Sequence, residues 1–284
     1  MIYPLCKSLV TPLTRPLRHG EDVFDASALA YINAVAAVTT VTAAQKSAIN
    51  AFVVGEKIAG RWSKFNRLFI HGWGNASANC IDMVSLATGV FSSGVTHSNG
   101  YIYSPTLNGY FNTNLKPSTQ GVTDANVSFG VLAYTASSTS TILVGSYDTT
   151  PYFALGVSTV GPGGRVVLNS RQYFPINEVS DMNGVLIVSR DSGNDYLYQR
   201  QNDATTLIVD TTAAAGLLAL STYNYYVMAL NQAAVGAAAF ADGRFGASFF
   251  GTALTKNDSI YFSANLQTLW QTLFGLVLPN HNLA

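Results

Sequence analysis

The feature that most constrains this fold is a series of short segments in which hydrophobic and polar residues alternate, beginning after Arg61. These segments are rich in Val, Ile, Phe, Tyr and Thr and are bounded by Gly, Asn, Asp and Ser, which is typical of β-strands separated by turns. Nine strands are predicted, over residues 127–135, 141–146, 152–158, 165–169, 185–190, 196–201, 206–210, 225–230 and 244–251. The series predicts an all-β sandwich, with a hairpin turn over residues 191–195 because Gly and Asn tolerate positive φ.

Two short helices are predicted before the strands. Asp25 can cap a helix over residues 26–35, and Thr42 with Gln45 forms a capping box that begins a second helix ending at about Ile58. Hydrophobic residues recur in the second helix near helical spacing, so one of its faces should be buried. We expect both helices to be scaffold.

One further helix is predicted after the last strand. Thr255 and Asp258 form a T-x-x-D start that places an acidic residue at the helix N-terminus. The helix should run to about Phe274, because Gly275 is a favourable C-terminal cap. The fold class is therefore mainly β, with two small N-terminal helices and one C-terminal helix.

Residues 1–24 are predicted to form an extended arm, because prolines at positions 4, 12 and 16 fix φ and remove backbone donors. A hydrophobic arm of this length cannot form a core alone, so we expect it to pack either on a neighbouring molecule or on its own domain. The candidate assembly contacts are Tyr3, Leu5, Leu9, Leu13, Arg15, Leu17 and Arg18.

The charge content argues against nucleic acid as a partner. The chain has 15 Lys and Arg against 15 Asp and Glu, and only 11% of its residues are charged. Binding a polyanion requires clustered basic residues, which a neutral chain of low charge does not supply. Residues 1–67 carry a net charge of +4 and residues 68–284 of −4, which favours a basic N-terminal part that docks elsewhere. No apolar run approaches the ~20 residues of a membrane helix, so no membrane partner is expected.

The sequence predicts no enzymatic activity and no catalytic, metal-binding or cofactor-binding residues. Its three glutamates, at positions 21, 56 and 178, lie far apart, whereas glycoside hydrolysis needs two carboxylates about 5–10 Å apart. The four histidines and two cysteines match no zinc-site spacing. His71 lies between aromatic residues, where a structural imidazole with satisfied hydrogen bonds is expected.

One aromatic segment is a candidate glycan-binding site. It is rich in Gly, Asn, Ser and Pro and is predicted to be a loop, and exposed aromatic side chains on loops can stack on sugar rings or anchor a protein interface. The candidate glycan-binding residues are Tyr101, Tyr103, Asn108, Tyr110 and Asn112. The alternative is that these tyrosines fill the rim of the sandwich.

Taken in order, several segments resemble a module that recurs in structural proteins of tailed phages. They are FDASALAYIN (24–33), TAAQKSAIN (42–50), GRWSKF (60–65), GVTHSNG (94–100), NGYFNT (108–113), YVMALN (226–231) and GTALTKND (251–258). The resemblance spans about residues 24–275. It implies a concanavalin A-like (laminin-G-like) jelly-roll sandwich preceded by two small helices, and it brings no catalytic residues with it.

The resemblance implies three parts: an assembly arm over residues 1–24, a helical base over 25–67, and a β-sandwich with its C-terminal helix over 68–284. It further implies a virion structural protein, either a capsid decoration, a head fibre or a tail component, assembled in the host cytoplasm. We expect it to dock on other virion proteins through the arm, to form a homo-oligomer and to display the sandwich outward. The alternative is a carbohydrate-binding module of a tail fibre or spike that recognises host surface glycans. A glycan-cleaving enzyme is a weaker rival.

Overall fold

The computed structural model describes residues 23–123, 125–135, 141–148, 152–157, 164–168, 174–176, 183–191, 194–201, 203–212 and 220–278. These residues form two β-sheets packed face to face and a layer of helices on the outer face of one sheet. The predicted mainly β sandwich with two N-terminal helices and one C-terminal helix is confirmed, and its layout is compatible with a jelly roll.

The three predicted helices begin and end close to the predicted residues. They are α1 (Ala26–Ala36), α2 (Ala43–Ile58) and α4 (Lys256–Phe274), whereas the one-turn helix α3 (Ala76–Asn79) was not predicted. Asp25 caps α1 by accepting hydrogen bonds from the backbone N–H groups of Ser27 and Ala28. Thr42 and Gln45 form the predicted capping box at α2, so both N-terminal helices start where local sequence satisfies their free N–H groups.

Helix α4 is capped at both ends as predicted. Thr255 and Asp258 form a reciprocal capping box, and Gly275 ends the helix with a left-handed φ of 67°. Trp270 of α4 lies against the first sheet at Gly246, where a Cβ atom would overlap the indole ring. A glycine is therefore required at position 246 for α4 to approach the sheet.

The described strands range in length from two to ten residues. In chain order they are β1 (Phe65–Ile70), β2 (Val90–Phe91), β3 (Thr96–Ser98), β4 (Tyr101–Tyr103), β5 (Phe111–Asn112), β6 (Asn126–Thr135), β7 (Thr141–Tyr147), β8 (Tyr152–Val157), β9 (Gly164–Leu168), β10 (Phe174–Ile176), β11 (Gly184–Asp191), β12 (Asn194–Gln201), β13 (Ala204–Thr212), β14 (Tyr226–Val227), β15 (Leu230–Gln232), β16 (Gly236–Ala238) and β17 (Arg244–Gly251). The first sheet has the order β13-β12-β11-β6-β17-β4-β3, with β1 also paired to β17. The second has the order β10-β9-β8-β7-β14-β5-β2, with β15 added in parallel to β7 and β16 paired to β15. The pairing of Asp191 with Asn194 confirms the predicted hairpin between β11 and β12.

Two hydrophobic cores lie on opposite faces of the first sheet. In β11, Val185 and Ile187 face the helices, whereas Leu186 and Val188 face the second sheet. Alternate residues of a strand point to opposite faces, so a strand buried on both faces must be continuously hydrophobic. We call the core under the helices the helix-side core and the core between the sheets the inter-sheet core.

The predicted strands differ from the structure in three respects. Strands β1, β2, β3, β10 and β16 were not predicted. The strand predicted over residues 225–230 is divided into β14 and β15, because Met228 adopts a φ of 70° that no regular strand allows. The segment predicted as an aromatic loop contains two short strands, so Tyr101 and Tyr103 lie on β4 and Asn112 on β5. Strands this short are set by their partners in the sheet and leave little periodicity in the sequence.

The division of the chain into arm, base and sandwich stays a prediction. Strand β1 begins at Phe65, within the predicted base of residues 25–67. Helices α1 and α2 share the helix-side core with residues of the first sheet and of α4.

Candidate functional site

The strongest candidate surface lies on the outer face of the second sheet, where an aromatic cluster surrounds β5 and β14. Phe111 and Val227 are fully buried in the inter-sheet core, so their neighbours Tyr110, Asn112 and Tyr226 must point away from it. Asn112 and Tyr226 are directly paired across the two strands. The sequence therefore places two tyrosines and one amide together on the same outer face.

The aromatic rings of this surface form a small platform. The Tyr110 and Tyr226 rings are stacked, with centroids 4.5 Å apart and planes 15° from parallel, and Phe240 lies 6.4 Å from Tyr110 at a tilt of 40°. Partial burial, together with the neighbouring Tyr110 side chain, raises the pKa of the Tyr226 hydroxyl. We refer to Tyr110, Tyr226, Phe240 and Asn112 as the outer platform.

Asn112 adds a polar group to this platform. Its Oδ1 accepts a hydrogen bond of 2.9 Å from the backbone N–H of Asn114, which fixes the orientation of the amide. Among the described residues its Nδ2 has no hydrogen-bond partner, so the amide can donate to an external acceptor. On the other side of Tyr226 the sheet partner is Gly145, which has no side chain to cover the ring.

A second aromatic patch lies on the outer face of the first sheet, beside α4. Ile102 is fully buried in the inter-sheet core, so Tyr101 and Tyr103 face the helix side. The ring of Tyr101 stacks on Tyr134 with centroids 5.6 Å apart, and the Arg244 guanidinium lies 5.1 Å from the Tyr101 centroid. This is a cation–π arrangement.

The structure thus divides the predicted glycan-binding residues between two faces. Tyr101 and Tyr103 lie on the helix side of the first sheet, whereas Tyr110 and Asn112 lie on the outer face of the second. Asn108 lies in the connecting loop, where its Oδ1 accepts a hydrogen bond of 2.6 Å from Thr106. Whether either group binds a glycan stays a prediction.

Sequence reasoning missed four members of these patches. They are Tyr226 and Phe240 on the outer platform, and Tyr134 and Arg244 on the helix side. Tyr226 could have been identified, because alternation around Tyr225 and Val227 places it on the opposite face of its strand. Tyr134 and Arg244 meet Tyr101 through the pairing of β17 with β6 and β4. Phe240 contacts Tyr110 from a loop far along the chain, and local sequence reveals neither arrangement.

His71 has the structural role that was predicted. It is fully buried; Nδ1 lies 3.1 Å from the backbone oxygen of Asn79, and Nε2 lies 2.8 Å from Oγ of Ser248. Its ring stacks on Phe69 with centroids 5.9 Å apart. Burial lowers the pKa of His71 to about 3, so the ring is neutral at ordinary pH and both nitrogens are occupied by protein groups.

Four charged side chains are buried as two ion pairs. Arg190 and Asp195 are both buried and joined by hydrogen bonds of 2.5 and 2.8 Å. Glu56 accepts two hydrogen bonds from Arg61, of 2.7 and 3.0 Å, and a third of 2.6 Å from Asn265 of α4. The satisfied geometry of both pairs is that of structural ion pairs.

Three further points concern sites predicted or excluded by sequence. The predicted arm contacts lie outside the described residues; they are Tyr3, Leu5, Leu9, Leu13, Arg15, Leu17 and Arg18. Within the described ranges, no three His, Cys, Asp or Glu side chains come together as a metal site would require. Nor does any described helix combine the length and apolar character needed to cross a bilayer.

No protein-family model and no curated protein sequence matches this chain. Solved structures with a similar fold include domain 4 of AbnA, an extracellular GH43 arabinanase from Geobacillus stearothermophilus, in complex with arabinotriose. It is 11% identical, with a TM-score of 0.48, and the match covers 71% of this chain and 98% of that one.

Two other solved structures show a similar degree of likeness. The sialidase of Trypanosoma rangeli with sialic acid is 11% identical, with a TM-score of 0.39, over 72% of this chain and 32% of the sialidase. The exoplasmic/lumenal domain of VIP36 is 9% identical, with a TM-score of 0.35, over 59% of this chain and 84% of that one. The likeness is limited to the general fold.

Proposed function

We propose that this protein is a structural component of a phage virion that attaches through its N-terminal segment and presents the outer face of its second sheet to the surroundings. The ordered series of segments resembling tailed-phage structural modules supports this assignment. The low charge content also suits a chain whose surface is made for contact with other proteins.

The observation that carries the proposal is the position of the first described residues relative to the outer platform. Asp25 is held against α2 by two contacts. Its backbone N–H donates a hydrogen bond of 2.7 Å to Oδ1 of Asn50, and its carboxylate forms an ion pair of 2.7 Å with Lys57. The chain therefore enters the fold at the helical layer, which covers the outer face of the first sheet. A subunit anchored there would direct the outer face of its second sheet away from the anchor.

The test is removal of residues 1–22 in the particle whose genome encodes the chain. We expect the shortened protein to keep its thermal unfolding midpoint, because residues 23–278 supply large buried cores on both faces of the first sheet, but to be absent from purified particles. Tyr226→Ala is the matched control, because it alters the opposite side and should incorporate normally. Normal incorporation of the shortened protein would contradict the proposal.

Glycan binding at the outer platform is a second candidate function, and it is compatible with the first. Aromatic rings that present a partly exposed face next to a free amide donor are suited to a sugar, which has apolar C–H faces and polar hydroxyl groups. Tyr226 has Gly145 on one side and Asn112 on the other, so both kinds of contact are available within one patch.

This candidate is tested with a glycan array followed by titration calorimetry on any glycan that binds. Tyr226→Ala and Asn112→Ala should each weaken binding at least tenfold. Tyr103→Ala lies on the opposite face and should leave the affinity unchanged. If Tyr103→Ala abolishes binding and Tyr226→Ala does not, the helix-side patch is the site instead.

A further inference from the structure

An apolar channel runs along the outside of the helical layer, between α2 and α4. The two helices are antiparallel, since Gln45 near the start of α2 donates to the backbone oxygen of Leu273 near the end of α4. The channel encloses about 330 Å³. Phe52 and Leu269 line it together with the smaller residues Ala48, Ala51, Gly55 and Thr268.

Gly55 is not explained by packing within the described chain. It lies in the last turn of α2, and within a helix glycine is less favourable than alanine by about 0.5–1 kcal/mol. A Cβ atom at this position would meet no described atom within 4 Å, and the backbone φ is not left-handed. A small residue at this position leaves room for another polypeptide backbone to approach the helix closely.

Two large hydrophobic side chains remain exposed at one end of the channel. Ile58, one turn beyond Gly55 on α2, is 83% exposed, and Tyr261, one turn before Asn265 on α4, is 61% exposed. Because the helices are antiparallel, both side chains lie at the same end. The channel and these two side chains are therefore uncovered within the described residues, and exposed apolar groups near one another are typical of a docking site.

The N-terminal segment has the length and pattern to occupy this channel. Twenty-two residues precede Val23, which is 92% exposed at the edge of the helical layer. Leu5, Leu9, Leu13 and Leu17 are spaced by four, and in an extended chain every fourth residue lies on the same side, about 13 Å from the last. Between Ala48 and Gly55 the channel is about 10 Å long at 1.5 Å per helical residue, and the exposed Ile58 lies about one turn beyond it. The channel therefore has room for one leucine, and a second leucine about 13 Å away would reach Ile58.

We infer that the channel is the docking site for the N-terminal arm of a second copy of this chain, so that subunits are coupled through exchanged arms. This inference rests on the proposed function, in which the arm leaves its own subunit. Arm exchange is a low-cost route to an oligomer, because both halves of the contact are present in one chain. Arg18–Asp22 would serve as a polar spacer between the docked leucines and α1.

The experiment mixes two full-length variants. The arm variant carries Leu13→Ser and Leu17→Ser and keeps its channel open, and the channel variant carries Gly55→Leu and keeps its arm. Analytical ultracentrifugation should show the wild type self-associating, with each variant alone having a dissociation constant at least tenfold higher. The two variants mixed should form a 1:1 complex, because one supplies the arm and the other the channel.

The controls separate docking from folding. Ala36→Leu, an exposed position at the end of α1 outside the channel, should associate like the wild type. Thr268→Trp fills the channel from α4 and should reproduce Gly55→Leu, and thermal unfolding should show all variants folded.

Two results would overturn the inference. The first is a monomeric wild type whose variants do not associate when mixed, which would indicate that the arm occupies its own subunit or another partner. The second is self-association that Gly55→Leu and Thr268→Trp leave unchanged. In either case incorporation into particles could still depend on residues 1–22, so the proposed function would survive the failure of this inference.

Discussion

The helix-side core and the inter-sheet core share the first sheet but are held together differently. In the helix-side core, indole N–H groups form hydrogen bonds between different parts of the fold. Trp270 Nε1 donates to the backbone oxygen of Gly100 at 2.6 Å, and Trp73 Nε1 donates to the Tyr31 hydroxyl at 3.1 Å. The inter-sheet core consists mainly of phenylalanine and aliphatic side chains, and the buried Tyr225 hydroxyl has no described partner. Directional bonds fix where the helices lie on the sheet, whereas the two sheets are held chiefly by apolar burial.

The largest expected effect comes from removing the indole that joins α4 to the first sheet. Trp270 is fully buried, contacts Tyr134 and Phe274, and bonds to Gly100. Trp270→Ala should lower the free energy of unfolding by about 3–5 kcal/mol, measured by urea denaturation. Trp270→Phe keeps most of the ring and should cost less.

A loss below about 1 kcal/mol for Trp270→Ala would contradict the proposed difference between the helix-side core and the inter-sheet core. It would mean that α4 is not fixed by directional contacts and that the sandwich is stable without them.

The second prediction concerns His71, a buried polar side chain that packs against aromatic residues of the inter-sheet core. The pKa of His71 is lowered to about 3 in the folded chain, below the ordinary value of 6.5, because burial disfavours the charged ring. The unfolded chain therefore binds a proton first as the pH falls. The stability that His71 contributes is complete above about pH 6.5 and is lost progressively towards pH 3, by a total on the order of a few kcal/mol.

The measurement is the free energy of unfolding from pH 7 to pH 3 for the wild type and His71→Gln. The variant should lose less stability over this range, whatever its stability at pH 7. The pKa of His97 is also lowered, but that ring is only half-buried, so His97→Gln should change the pH dependence less. Equal slopes for the wild type and His71→Gln would contradict a buried neutral imidazole.

The third prediction compares two buried tyrosines, one from each core. Tyr31 and Tyr225 are both buried, but only the Tyr31 hydroxyl has a described partner. Tyr31→Phe should destabilise the protein by about 1 kcal/mol, because it leaves the Trp73 N–H unpaired. Tyr225→Phe should stabilise it by a similar amount, because it removes a hydroxyl that burial deprives of water. The same sign for both substitutions, in chemical denaturation, would show that the two cores do not differ in this respect.

How far the sequence could predict this molecule depends on whether the signal is local. The helix starts at Asp25, Thr42 and Thr255 were predictable because a cap is a contact within three residues. A long strand such as β11 was predictable because it contains the continuous hydrophobic run of residues 185–188.

The outer platform was only half predictable, for a physical reason. Tyr110 and Tyr226 come together because β5 pairs with β14, two strands of two residues each, more than 100 positions apart in the chain. Strands this short carry no periodicity, and their pairing is decided by the surrounding sheet. The sequence consequently grouped Tyr101 with Tyr110 because they are near each other along the chain, whereas the fold places them on opposite faces.

The smallest expected effect distinguishes a glycine that the fold requires from one that it does not. Gly246 lies against the Trp270 ring, so Gly246→Ala should destabilise the protein by forcing α4 away from the sheet. Gly55 faces the open channel, and in the Leu13→Ser, Leu17→Ser background, where no arm docks, Gly55→Ala should stabilise the protein by about 0.5–1 kcal/mol through its effect on α2 alone. Thermal unfolding of each variant beside its parent protein gives the sign of both effects. A destabilising Gly55→Ala would mean that the helix already needs the glycine for its own packing, and the reason for assigning an external partner to the channel would be lost. A stabilising one would show that the glycine is retained at a cost to the subunit, as expected where a neighbouring backbone must approach α2.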